Sequence, residues 1–160
     1  MDIKLLSKNF FVRRLNLHDV DIVYNMSYKN KIFYEYHPPF VTKESIIEDM
    51  NALPPHKSYD DKYYIGFFEN NILVANMDLI LDYPKEKMAF IGLFMVDILY
   101  QNKGIGSKII CDICGYLKEL GYKKIQVGVD KENPQSNNFW HKNGFQIILE
   151  KKYNVMELVL

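Results

Sequence analysis

The stretch VDILYQNKGIGSKII, residues Val96 to Ile110, constrains the fold more than any other. It passes from an apolar run, through Gly104 and Gly106, into an apolar pattern of a different period. Ahead of it, MAFIGLFMVDI (88–98) is long, apolar and aromatic, and reads as a central strand with both faces covered. Behind it, Ile105, Ile109, Ile113 and Leu117 recur every fourth residue, with Ile110 and Leu120 beside them. That spacing predicts a helix closed by Gly121. A helix start leaves backbone N–H groups unpaired and carries a partial positive charge. Glycine lets a phosphate approach such a backbone closely, and Lys103 adds a cation. A plain strand-to-helix turn needs the same glycines, so spacing alone supports both readings. The P-loop pattern is absent, and so is the dinucleotide-binding pattern with its acidic residue.

The flanks supply the other elements. NFFVRRLN (9–16) reads as a first strand, and His18 and Asp19 open a helix carrying Val20, Val23 and Tyr24. FYEYHPPF (33–40) reads as a loop, because Pro38 and Pro39 break helix and strand alike. Thr42, Ser45 and the Ile46–Ile47 pair predict a capped helix to about Asn51, ended by Pro54 and Pro55. YYIGFF, a Glu69-Asn70-Asn71 turn and ILVANMDLIL form a hairpin. KKIQVGVD alternates as a strand. Asn133 then caps a short helix with Pro134 at its first position, and Gly144 closes it. FQIILE and YNVMELVL are two last strands. The order predicts an α/β (α+β) chain: one domain over 1–160, with a mixed, mostly antiparallel sheet of about seven strands and helices on both faces.

Composition narrows the function. The 20 basic residues equal the 20 acidic ones, so no field of one sign steers nucleic acid toward the chain. Lys103, Lys108, Lys123 and Lys124 are local cations only. Cys111 and Cys114 have the C-x-x-C spacing of a redox pair or half a zinc site. They fall in mid-helix with no second Cys/His cluster, and read as buried small residues with no metal bound. MDIKLLSKNFFVRR has no signal-peptide core, and no apolar run approaches the ~18 residues of a membrane span. The expected location is the reducing cytoplasm.

Gln101, Asn102, Lys103, Gly104, Ile105 and Gly106 fill a Q/R-x-x-G-x-G/A signature. Downstream, NPQSNNFWHKNGF (133–145) is an Asn-initiated helix ending in an aromatic pair and Gly-Phe. With the order of elements over nearly the whole chain, the two motifs resemble the GNAT superfamily of acyl-CoA-dependent N-acyltransferases. The resemblance implies a GNAT-like sheet and acetyl-CoA as cosubstrate. The amides from Asn102 to Gly106 would bind the pyrophosphate. The backbone of Phe94, Met95 and Val96 would pair with the pantetheine arm as an added strand, which satisfies groups left open where parallel neighbours splay. Asn133 would contact the cofactor arm, and Ser136 and Trp140 share its helix face at i+3 and i+7.

The same resemblance makes a backbone N–H near Val96 the oxyanion donor. Relatives often carry a Tyr acid where this chain has Trp140, and an indole N–H is no practical acid. His141 is adjacent, about 100° round the helix, and is a candidate replacement. Relatives also carry a Glu on the fourth strand, which MAFIGLF lacks. Asp78, Glu35 and His37 are candidate bases, and a water chain is another route. Tyr34, Glu35, Tyr36 and His37, with Phe33, offer aromatic faces and a carboxylate to a cationic amine. The expectation is an N-acetyltransferase acting on a primary amine of a small molecule or a protein. The alternative is an acyl-CoA-binding module without turnover. Neither nucleic acid nor membrane is an expected partner; the C-terminal strands are able to pair two chains as a homodimer.

Overall fold

Near-continuous apolar runs, joined by the Asn70–Asn71 turn and by the Asp82–Lys87 segment, build the middle of the chain into a meander. In the computed structural model, which describes residues 1–160, β2 (Lys62–Glu69), β3 (Ile72–Leu81) and β4 (Met88–Val96) run antiparallel in succession. Asn70 and Asn71 hold left-handed φ angles of 48° and 65°, the geometry a tight hairpin needs. β1 (Phe11–Arg14) extends the meander beside β2. From β4 the chain crosses through α4 (Ile105–Glu119) to β5 (Lys124–Val129), which lies parallel to β4. β6 (Gln146–Glu150) and β7 (Asn154–Val159) then complete a seven-stranded sheet in the order β1-β2-β3-β4-β5-β7-β6. Only the β4–β5 pair is parallel, so the expected mixed, mostly antiparallel sheet is found.

Each face of the sheet has its own core. On one face Ile109, Ile110, Ile113 and Leu117 of α4 pack with Trp140 of α5 (Pro134–Lys142) and Phe145 against Ile65, Phe67, Met77 and Ile91. On the other, Val20, Val23 and Met26 of α1 (Val20–Lys29) join Ile46 and Met50 of α3 (Lys43–Asn51) over Tyr64, Leu73 and Met95. No helix is long and apolar enough to cross a membrane.

Three expectations need correction. The loop expected at 33–40 begins as a helix, α2 (Lys31–Tyr36), and the chain leaves helical geometry at His37, just before the prolines. No α2 residue is fully buried; Phe33 and Tyr34 lie along the second core. β4 is not covered on both faces along its length: Gly92 is exposed and Leu93, Phe94 and Val96 are half-buried. The cause is a bulge. Asp78 pairs with Leu93 and Leu79 with Ile91, so Gly92 is an extra residue, and such a residue bends its strand. The cysteines do lie in mid-α4, but Cys111 is exposed and Cys114 half-buried, because both lie off the Ile109–Ile113–Leu117 stripe.

Candidate active site

The bulge decides where the sheet opens. β4 pairs with β5 only over Met88–Ile91 and Lys124–Val127. Past that point β4 runs on from Gly92 to Val96 without β5 beside it. The gap is the floor of a cleft of about 490 Å³. Phe94, Met95 and Val96 line one wall; Asn133, Ser136, Phe139 and Trp140 line the other. Gln101, Asn102, Gly104, Ile105, Gly106 and Ser107 line the cleft at the glycine turn, and Asn30, which is hydrogen-bonded to Gln101, and Phe33 line it as well.

The glycine end is an uncapped helix start. Asn102 and Gly104 take left-handed φ angles of 58° and 76°, and α4 begins directly after them. No side chain caps it, and its first-turn carbonyl partner is reached only at Lys108, whose N–H donates to Gly104 O. The preceding N–H groups of Ile105, Gly106 and Ser107 have no i−4 partner within the helix. By contrast α3 and α5 are capped by Thr42 and Asn133. Gly106 leaves the cradle open: a Cβ there would lie 3.0 Å from Phe139 Cε2 and 3.4 Å from Val96 Cγ2.

Gln101 is a brace. Its Nε2 donates to Val96 O at 2.9 Å and to Asn30 Oδ1, and its Oε1 accepts from Gln135 Nε2 at 3.2 Å. The turn is thereby tied to the end of β4, to α1 and to α5. Asn133 is almost wholly buried and its Oδ1 accepts the Ser136 N–H at 3.0 Å, which leaves its side-chain NH₂ without a protein partner. Trp140 is 4% exposed, in an aromatic stack with Phe139 at 5.1 Å, Phe145 at 4.9 Å and Phe94 at 6.1 Å.

The other sequence candidates are not among the residues that line the cleft. Lys103 is exposed beside the cleft, its Nζ 5.9 Å from the Tyr100 ring. His141 is exposed and does not line the cleft. Asp78 is buried under Gly92 on the α3 face; Lys62 Nζ donates to its Oδ2 at 2.7 Å and its Oδ1 has no partner. Burial pushes the Asp78 carboxyl above its usual range, and the Lys62 ammonium pulls it back. Tyr34 is half-buried, 4.9 Å from the Phe33 ring; burial raises its phenol. Tyr36 is half-buried and Glu35 exposed. His37 pairs through Nδ1 with Asp130 Oδ2 at 3.0 Å. Sequence reasoning missed Asn30, Gln135 and Asp130. Each is a lone polar residue in a local context with no signal, and each is brought in by contacts across the sheet.

The acetyltransferase (GNAT) family model matches residues 27–145. No curated relative matches the chain. Among solved structures, an acetyltransferase from Thermus thermophilus superposes with a TM-score of 0.81 at 16% identity, covering 98% of this chain and 99% of the other. The PaiA N-acetyltransferase from Thermoplasma acidophilum in complex with coenzyme A gives 0.71 at 17% identity, covering 93% and 98%. At these identities the likeness is one of fold.

Proposed function

The chain belongs to the acetyltransferase (GNAT) family, and on that premise we propose that it moves an acetyl group from acetyl-CoA to a primary amine of a small molecule or protein. The observation that carries the reading is the cleft where β4 and β5 part, with the uncapped α4 start at its mouth. The amides from Asn102 to Gly106 suit a pyrophosphate, because they present unpaired N–H groups at the positive end of a helix with no side chain on Gly106 in the way. The open edge of Phe94, Met95 and Val96 suits the amide-bearing pantetheine arm, and the free NH₂ of Asn133 faces it from the other wall. Ser136 and Trp140 continue that wall.

The amine nitrogen attacks the thioester carbonyl carbon, and the carbon–sulfur bond breaks. A backbone N–H near Val96 would stabilise the oxyanion. Alignment of two bound reactants supplies a large share of the rate, since effective molarities reach roughly 10⁵–10⁸ M. Trp140 is a wall and not an acid, so the leaving sulfur takes its proton from water. An acceptor amine would enter past Phe33, next to Tyr34, Glu35, Tyr36 and His37 on and just after α2.

A second reading is binding without turnover, favoured by the lack of any Tyr among the cleft residues. A thiol-release assay with acetyl-CoA against polyamines, aminoglycosides, amino acids and peptides separates the two. Release that depends on one class of amine supports transfer. Tight acetyl-CoA binding with no release across the panel supports the binding module.

A further inference from the structure

We propose, on the reading of acetyl transfer above, that His37 and Asp130 form a dyad in which His37 Nε2 takes the proton lost by the acceptor amine. The pair joins the two sides of the open sheet. His37 ends α2, whose Phe33 lines the cleft, and its ring lies 5.3 Å from the Phe33 ring. Asp130 follows β5, three residues before Asn133 on the opposite wall. Between them runs a 3.0 Å bond from His37 Nδ1 to Asp130 Oδ2. Neither residue lines the cleft itself; the bridge borders it through Phe33 and Asn133, which do.

Both partners are held. The His37 N–H donates to Phe33 O at 3.0 Å, which sets the residue at the end of α2. The carbonyl of Asp130 accepts the Asn133 N–H at 3.2 Å and Asn137 Nδ2 at 2.9 Å, so α5 anchors the aspartate. A carboxylate on Nδ1 fixes the tautomer, with the proton on Nδ1 and the lone pair on Nε2. No protein group bonds to Nε2. The His37 side chain is 60% exposed, so a proton taken there passes directly to solvent.

The alternatives are less suited. Asp78 has an unpartnered Oδ1, but that atom is sealed from solvent and Lys62 holds the other oxygen. Glu35 is exposed and has no partner to orient it. The charged groups around His37 are Asp130 from the β5 end, Asp49 from α3, whose carboxyl feels the His37 charge, and Glu35 on α2 itself.

The proton count closes. A primary ammonium ion loses two protons on becoming an amide. One ends on the coenzyme sulfur as the C–S bond breaks, and the other passes through Nε2 to bulk water. Asp130 touches no reacting atom and is a positioning residue.

The test uses an amine that the wild-type chain acetylates, with kcat and KM followed from about pH 5.5 to 9, the range where imidazoles exchange protons. His37→Gln is expected to lower kcat by ~10²-fold or more, with KM for acetyl-CoA held within about twofold, and to flatten the profile near neutrality. Asp130→Asn is expected to cost a smaller factor, Asp130→Glu to recover part of it, and the double variant to be no slower than His37→Gln alone. A His37→Gln enzyme within about threefold of wild type, with its pH profile unchanged, overturns the dyad alone. So does a double variant whose loss is the product of the single losses. Wild type that binds acetyl-CoA but releases thiol with no amine overturns the transfer reading, and this proposal with it.

Discussion

Asp78 and Gly92 face one another across the β3–β4 bulge: a Cβ built on Gly92 would sit 3.0 Å from Asp78 Oδ2, the oxygen that Lys62 Nζ holds at 2.7 Å. The carboxylate cannot step aside, because its ammonium partner is itself only 3% exposed and also donates to Asp49 O. The bulge that opens the cleft thus rests on a buried ion pair. Gly92→Ala is expected to cost ~1–3 kcal/mol, the usual range for overpacking a tight site. Urea unfolding checks it, and a midpoint equal to wild type would mean the approach is not tight.

Asp19 should govern part of the acid stability. Arg13 donates to both its oxygens, at 2.8 and 2.7 Å, and the Asn16 N–H donates at 3.0 Å. The Arg13 hydrogen bonds hold the Asp19 carboxyl below its ordinary 3.8. A folded value below the unfolded one gives stability that is present above the unfolded value and lost as pH falls through the folded value. Asp19→Asn is expected to cost ~1–3 kcal/mol at neutral pH. The gap to wild type should shrink below about pH 4. Thermal melts across that range decide it; a gap independent of pH would contradict the linkage.

Trp140 separates shape from acid catalysis. Trp140→Phe should keep most of the chemical rate, since the wall survives and no acid is lost. Trp140→Ala should destabilise the fold by ~3–5 kcal/mol and weaken acetyl-CoA binding, because a buried indole leaves a hole in its aromatic stack. Trp140→Tyr should raise kcat if protonation of the thiolate limits turnover. A hundredfold fall in kcat for Trp140→Phe, at unchanged acetyl-CoA affinity, would place the indole N–H in the transition state.

Cys111 and Cys114 should be dispensable. Burial pushes the Cys114 thiol up to about 12, the reverse of a reactive thiolate, and Cys111 is exposed on the outer side of α4. The double Ala variant is expected to turn over within about threefold of wild type. Loss of activity with the fold intact would contradict this.

Much of this was legible locally. Gly104 and Gly106 announce an open helix start, and Asn133-Pro134 announces a helix beginning, because capping and turn chemistry act within a few residues. α2 was hidden: six residues are too few to print a helical period, and Phe33 and Tyr34 settle it by packing on the core. Gly92 looked like one small residue in an apolar run, since a bulge is a matter of register with a partner strand. His37 and Asp130 are 93 residues apart, and Lys62 and Asp78 meet only through hairpin pairing. Contacts made by tertiary structure have no local signature, which is why the glycine turn and the start of α5 could be read ahead and the pairs made across the sheet could not.

Calorimetric titration of acetyl-CoA into wild-type protein and into Gly106→Val tests the central claim most directly. The cleft account predicts one site per chain in wild type. It predicts that site to be lost in Gly106→Val, whose side chain would fill the space before Phe139 and Val96, while far-UV circular dichroism stays that of wild type. No binding to wild type, or equal affinity in a folded Gly106→Val, would contradict it.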